Sequence, residues 1–202
     1  MEKLVHRAEG IINNLAQSSL KNGIIREEDL AIYRYGMKHL FLMPIYFCSY
    51  LIIGIATQNL FGLMIYLCFF TAIRVFAGGF HMQHRSSCFV GTMIIVAVTS
   101  MVLREYERVI SLSVWMLLVV AGYTLIMLLA PIDSEKRIFD EQEKIHFRKA
   151  SVVIANIELV LFIITVVSKT YSVAFAVVMA FIQEAILIVL GKMAQRRRKQ
   201  SI

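Results

Sequence analysis

Three features of the sequence predict an all-α, polytopic membrane protein with about six transmembrane helices and an N-terminal amphipathic interfacial helix. They are its apolar content, its separate apolar runs, and the unequal placement of its basic residues. Of 202 residues, 58% are hydrophobic and 17% charged, and the mean hydropathy is +0.69. Soluble domains contain roughly 45–50% apolar and about 25% charged residues, which excludes a water-soluble domain here. We expect one integral membrane domain over residues 1–202.

Six apolar runs predict the spans, since a transmembrane helix takes about 20 residues. They lie at 39–58, 59–77, 87–103, 110–130, 150–168 and 171–190. Only the polar pair Gln58 and Asn59 separates the first two runs. Residues 1–23 instead place their apolar side chains on one helical face, namely Leu4, Val5, Ala8, Ile11, Ile12 and Leu15. This pattern predicts an interfacial helix ending at Gly23, which either anchors the chain at the inner leaflet or receives a partner's amphipathic helix.

The basic residues predict the orientation, because Lys and Arg accumulate in cytoplasmic segments. They are frequent before residue 39, in the 131–149 loop and in the C-terminal tail, and the 78–86 loop holds Arg85. The opposite connections hold only Arg104, Arg108 and Lys169. Both termini and the 78–86 loop are therefore expected at the cytoplasmic face of a cell membrane. The net charge of +7 is explained by this anchoring near anionic lipid, and we expect no nucleic-acid partner.

Residues 74–88 concentrate the groups that chemistry requires: an arginine, a glycine pair, two histidines and a cysteine. A thiol attacks as its thiolate, and a nearby imidazole can take its proton. His81 and Cys88 form this minimal pair. Seven residues of straight helix rise by about 10.5 Å, so the chain must bend between the two. Gly78-Gly79 permits such a bend, and Ser86-Ser87 is expected to cap a helix that starts near Cys88, whose dipole favours a thiolate.

Alternative roles remain open for several of these residues. His81, His84 and Cys88 lie at metal-ligand spacing on one helical face, but His146 alone is available as a fourth ligand, and no metal or cofactor is predicted. The three cysteines Cys48, Cys68 and Cys88 do not suggest a disulfide framework. A third catalytic residue cannot be chosen among the three polar candidates on the same side, Gln83, Asp133 and Glu135.

Three charged residues fall inside the predicted spans at similar depth, where ionisable groups are costly and usually paired or functional. We expect Arg74 to pair with Glu158 or Glu184 and to hold the Gly78–Cys88 segment in place. The alternative is that Arg74 reaches the interface and contacts the oxyanion or a carboxyl group of the substrate.

The run Arg74…Gly78-Gly79-Phe80-His81, with Cys88 seven positions after His81, resembles the accessory gene regulator protein B (AgrB) family of bacterial quorum-sensing membrane proteases. The chain length, the amphipathic N-terminus, the six apolar segments and the Ala130-Pro131-Ile132-Asp133 turn before a basic loop agree with it. Phe80 stands where the family often has Tyr.

The resemblance implies a cysteine endopeptidase that processes a short AgrD-type propeptide. Cys88 would be the nucleophile and His81 its general base. The propeptide's C-terminal tail would leave, and an internal Cys or Ser of the peptide would attack the resulting thioester to close a thiolactone or lactone ring. A homodimer is compatible with this family. Two other classes remain as alternatives, a small six-span transporter and a non-catalytic membrane adaptor, although neither explains the His81 and Cys88 pair.

Overall fold

The computed structural model describes residues 2–80, 82, 85–105, 111–132 and 139–200. Within those ranges the chain forms helices and no β-strand, which confirms the predicted all-α class. A short 3-10 helix, Glu27–Asp29, follows the first helix. The α-helices are α1 (Glu2–Lys21), α2 (Leu30–Ala56), α3 (Leu60–Ala77), α4 (Arg85–Arg104), α5 (Leu112–Leu129), α6 (Glu141–Val167) and α7 (Tyr171–Gln200).

Five of the described helices are long and apolar enough to cross a membrane. They are Leu60–Ala77, Ser86–Arg104, Leu112–Leu129, Glu141–Val167 and Tyr171–Arg197. In α2 the apolar stretch Leu40–Ala56 is shorter. These six stretches correspond to the six predicted runs, and the chain is a multi-pass membrane protein.

By internal contacts the chain divides into two units, Met1–Ile52 and Ile53–Ile202. In the first unit, α1 ends where the sequence predicts. Gly23 has φ 68°; its N–H donates to Leu20 O at 3.0 Å, and Ile24 N–H donates to Ser19 O at 2.9 Å. These two bonds form a Schellman motif, which requires the left-handed conformation that glycine supplies.

The second unit is organised around α7, which packs against α3, α5 and α6. Residues 174–178 of α7 are buried at every position, as expected of a helix surrounded by other helices. α3 buries a single stripe instead, formed by Leu63, Tyr66, Ile73 and Ala77. At Gly122 of α5 a Cβ would lie 3.0 Å from Phe181 O on α7, so a small residue permits that close helix contact.

α2 begins at Leu30 rather than near 39, and two further helix boundaries differ from the sequence prediction. α6 begins at Glu141 rather than near 150, because Asp140 and Glu143 form a capping box. The Asp140 side chain accepts from Glu143 N at 2.7 Å, and the polar residues that follow form the first turns of the helix. α7 continues past 190 to Gln200, so its last turns carry the basic tail.

Candidate active site at the end of α3

α3 ends at Ala77, and the next two residues have backbone angles that favour glycine. Gly78 has φ 73° and Gly79 has φ 119°, a region that other residues avoid. A Cβ on Gly78 would meet the carbonyl oxygen of Ile132. The glycine pair therefore turns the chain away from α3 and lets it approach a neighbouring backbone closely.

The Gly78–Phe80 segment is fixed by backbone hydrogen bonds on two sides. On one side, Ile132 N–H donates to Ala77 O at 2.9 Å, and Gly78 forms a parallel β-bridge with Ile132. On the other side, Phe80 N–H donates to Leu187 O of α7 at 2.9 Å. The segment thus lies between the connection after α5 and the last part of α7.

Arg74 ties the same segment to a buried carboxyl group. Its guanidinium donates through Nη1 to Gly78 O and through Nη2 to Phe80 O at 2.7 Å. Nη1 also lies 3.6 Å from Glu184 Oε1, with the Glu184 side chain 0% exposed. Of the two acids that the sequence left open as partners of Arg74, Glu184 is the one in ion-pair contact.

Glu158 is the second buried acid, on α6 and 2% exposed. Neither of its carboxyl oxygens has a hydrogen-bond partner among the described residues, and the same holds for the Glu184 oxygens. Glu158 lies near enough to Glu184 for the two carboxyl groups to repel each other when both are ionised. Arg74 is therefore the counter-charge of Glu184 inside the helix bundle.

Cys88 is the fourth residue of α4 and is partly exposed. Its carbonyl accepts from Thr92 Oγ1 at 2.8 Å. The methyl of Met82 lies against α4 one turn further on, because a Cβ on Gly91 would be 2.9 Å from Met82 Cε. Cys88 thus sits in the first turn of α4, at the end of the helix bundle that holds the Gly78–Phe80 segment.

The prediction that Ser86-Ser87 caps this helix is wrong. α4 begins at Arg85, so both serines are already within its first turn. Residues 83 and 84, just before Arg85, lie outside the described residues. Met82 is not helical and α4 starts at Arg85, but His81 lies outside the described residues, so the bend between His81 and Cys88 stays a prediction.

The accessory gene regulator B family model matches residues 8–188, nearly the whole chain. The chain belongs to the AgrB family. No curated protein and no solved structure matches it. Membership supports a quorum-sensing accessory gene regulator role for the chain. The AgrB family is generally an enzyme family, and it implies an AgrD-related partner.

Several residues considered for the AgrB site lie outside the described part of the chain: His81, Gln83, His84, Asp133 and Glu135. The other two cysteines, Cys48 and Cys68, are free and exposed. Among the described residues, no group of three or more His, Cys, Asp or Glu side chains is placed to hold a metal ion.

Sequence reasoning missed four contributors to this region of the AgrB chain. Leu187 and Gly191 of α7 contact the Gly78–Phe80 segment through backbone atoms, and Ile132 bridges Gly78. Arg148 donates to Met127 O and Ala130 O, which covers carbonyls left open at the end of α5. A lone glycine near the end of an otherwise apolar span, Gly191, was the one available signal.

Proposed function

We propose that this AgrB-family chain is a membrane cysteine endopeptidase that removes the C-terminal tail of an AgrD-like propeptide and promotes its cyclisation. The observation that carries the proposal is the position of Cys88. This residue is partly exposed in the first turn of α4, at the same end of the bundle as the segment that leads into His81.

In the proposed reaction, His81 takes the Cys88 proton as the sulfur attacks the carbonyl carbon before the tail. The tail leaves as a free amine after His81 returns the proton to it, and the peptide remains as a thioester on Cys88. A Cys thiol or Ser hydroxyl within the peptide then attacks the thioester carbonyl and loses its proton to His81. The ring closes, and Cys88 leaves as a thiolate that is protonated again.

Charge at the same end of the bundle supports a propeptide with an acidic tail. A shallow cleft beside Pro131 is lined by Lys144, Ile145, Arg148 and Lys149. Lys144 lies 3.2 Å from Glu141 Oε1, and Arg148 donates to the carbonyls at the end of α5. Basic side chains attract an acidic peptide and raise its local concentration. We place this end, together with both termini, at the cytoplasmic face, because most basic residues lie in the corresponding segments.

Co-expression with a candidate propeptide encoded beside the gene tests the proposal. Cys88→Ala and His81→Ala are each expected to lower the cleavage rate by about 1,000-fold or more, since members of a nucleophile–base pair act as a unit. Membrane levels should be unchanged. Cys68→Ala and His84→Ala are the matched controls and should keep full cleavage.

Cleavage that persists in Cys88→Ala would sink the enzyme assignment and leave the non-catalytic adaptor as the explanation. A metal centre predicts a different pattern. If the site held a metal, a chelator would abolish cleavage, and so would each of the variants His84→Ala and His81→Ala.

A further inference from the structure

The last part of α7 forms a surface on which the chain before His81 is held. Phe80 N–H donates to Leu187 O at 2.9 Å. A Cβ on Gly79 would lie 3.1 Å from the same carbonyl oxygen. Both contacts join backbone to backbone, so neither Leu187 nor the segment contributes a side chain to them.

Gly191, one helical turn after Leu187, permits this approach. A Cβ added to Gly191 would lie 2.9 Å from Gly79 C, from Phe80 N and from Ile132 Cγ2. Real Cβ atoms do not come so near to backbone atoms, so any side chain there would displace the segment. A glycine inside a helix costs about 1 kcal/mol relative to alanine. The close contact explains why the helix contains one here.

These contacts hold the backbone of Phe80, the residue before the proposed general base His81. Both polar backbone groups of Phe80 are bound, the N–H by Leu187 O and the C=O by Arg74 Nη2 at 2.7 Å. That carbonyl belongs to the peptide group that joins Phe80 to His81. The orientation of the Phe80 backbone is therefore set by α7 and Arg74 together.

We propose that the Leu187–Gly191 turn of α7 is a positioning element for the general base His81, acting through the backbone of Gly79 and Phe80. This inference rests on the function proposed above and deepens it. Gly191 touches neither substrate nor Cys88 in this role. A displaced imidazole is expected to slow proton transfer while substrate binding persists.

The test uses the full chain purified into phospholipid vesicles, with the candidate propeptide as substrate. Gly191→Ala adds one methyl group against Gly79 and Phe80. Its matched control is Gly122→Ala, which adds the same methyl group at another close contact with α7, 3.0 Å from Phe181 O. The two contacts with α7 are separated by about 15 Å along the helix.

Gly191→Ala is expected to lower kcat by about tenfold to 100-fold with KM within about twofold, since small displacements of catalytic groups have effects of this size. Gly122→Ala should keep kcat within about twofold, since it lies away from the site. The proposal is overturned if Gly191→Ala retains kcat, or if KM rises while kcat is unchanged.

A second variant covers the case in which Gly191→Ala is not recovered from membranes. Gly191→Ala with Ile132→Ala removes one of the three contacts and leaves those with Gly79 and Phe80. Its kcat should be about tenfold below that of Ile132→Ala alone, and equal values would overturn the proposal. Failure of the underlying function is separate, because Cys88→Ala would then still cleave the propeptide.

Discussion

Two connections in the larger unit are fixed in opposite ways. At the site corner, residues 74–80, the chain leaves α3; at the far corner, residues 57–59, α2 turns into α3. Each corner is reached by an arginine that donates to backbone carbonyls. Arg74 is 18% exposed and lies 3.6 Å from a fully buried Glu184. Arg104 is 50% exposed, donates to Thr57 O at 3.3 Å and lies 3.9 Å from an equally exposed Glu105.

The far corner is held by side chains. Thr57 Oγ1 and Ser100 Oγ share a hydrogen bond of 2.6 Å, and Asn59 Nδ2 donates to Ser100 O at 3.1 Å. The site corner is held through its backbone, by glycines and by one buried charge. Backbone fixation leaves the side chains of the segment available for chemistry. The stability of this corner therefore depends on few groups, namely the two glycines and the Arg74–Glu184 pair.

The largest expected effect comes from removing the buried charge. Arg74→Ala leaves Glu184 without its counter-charge, and removing one partner of a buried pair costs about 3–5 kcal/mol. We expect this loss in the free energy of unfolding of the solubilised protein, measured by denaturant titration. Cleavage should be lost with it, because Phe80 O loses its donor.

A second substitution in the Arg74→Ala background identifies the acid that matters. Glu184→Gln removes the uncompensated charge that lay in contact with Arg74, so it should recover part of the lost stability. Glu158→Gln is the matched control and should recover less. Equal recovery by the two substitutions would contradict the assignment of Arg74 to Glu184.

An intermediate effect is expected from the backbone of the site corner. Gly78→Ala places a Cβ at φ 73° and against Ile132 O, which should cost about 1–3 kcal/mol. Gln58 at the far corner has φ 55° and is exposed. Gln58→Ala should therefore change the stability by no more than about 0.5 kcal/mol. Thermal unfolding of both variants measures the difference, and similar losses would show that the corners are not distinct.

The smallest effect is expected from the exposed arginine. Arg104→Ala should cost about 0–1 kcal/mol, since exposed ion pairs contribute little, and its effect should shrink further at high salt. Cleavage should be unchanged. A loss comparable to that of Arg74→Ala, in the same unfolding assay, would mean that burial does not explain the difference between the two arginines.

Much of this comparison follows from local sequence features. The polar pair after α2 predicts a turn, and the apolar run up to Ala77 followed by two glycines predicts where α3 ends. Gly23 predicts the end of α1, because a C-terminal glycine stops a helix by local geometry. The apolar run predicts a start of α6 near 150, whereas the capping box of Asp140 and Glu143 starts the helix at Glu141.

The sequence does not predict which distant segments contact one another. Spacing placed Arg74, Glu158 and Glu184 at similar depth but could not choose between the acids, because the choice depends on how α3, α6 and α7 rotate against one another. In the sequence Gly191 is an isolated glycine. Only the packed structure shows that the backbone of Gly79 and Phe80 lies against it.

The sequence alone determined that this chain belongs in a membrane, how many apolar segments it has and which short segment carries reactive groups. These properties depend on composition and local pattern, which a single chain displays directly. The tertiary structure decided that α7 and Ile132 hold the Gly78–Phe80 segment and that Glu184 neutralises Arg74. Those contacts join residues more than 50 positions apart in the chain, so they exist only once the helices have packed.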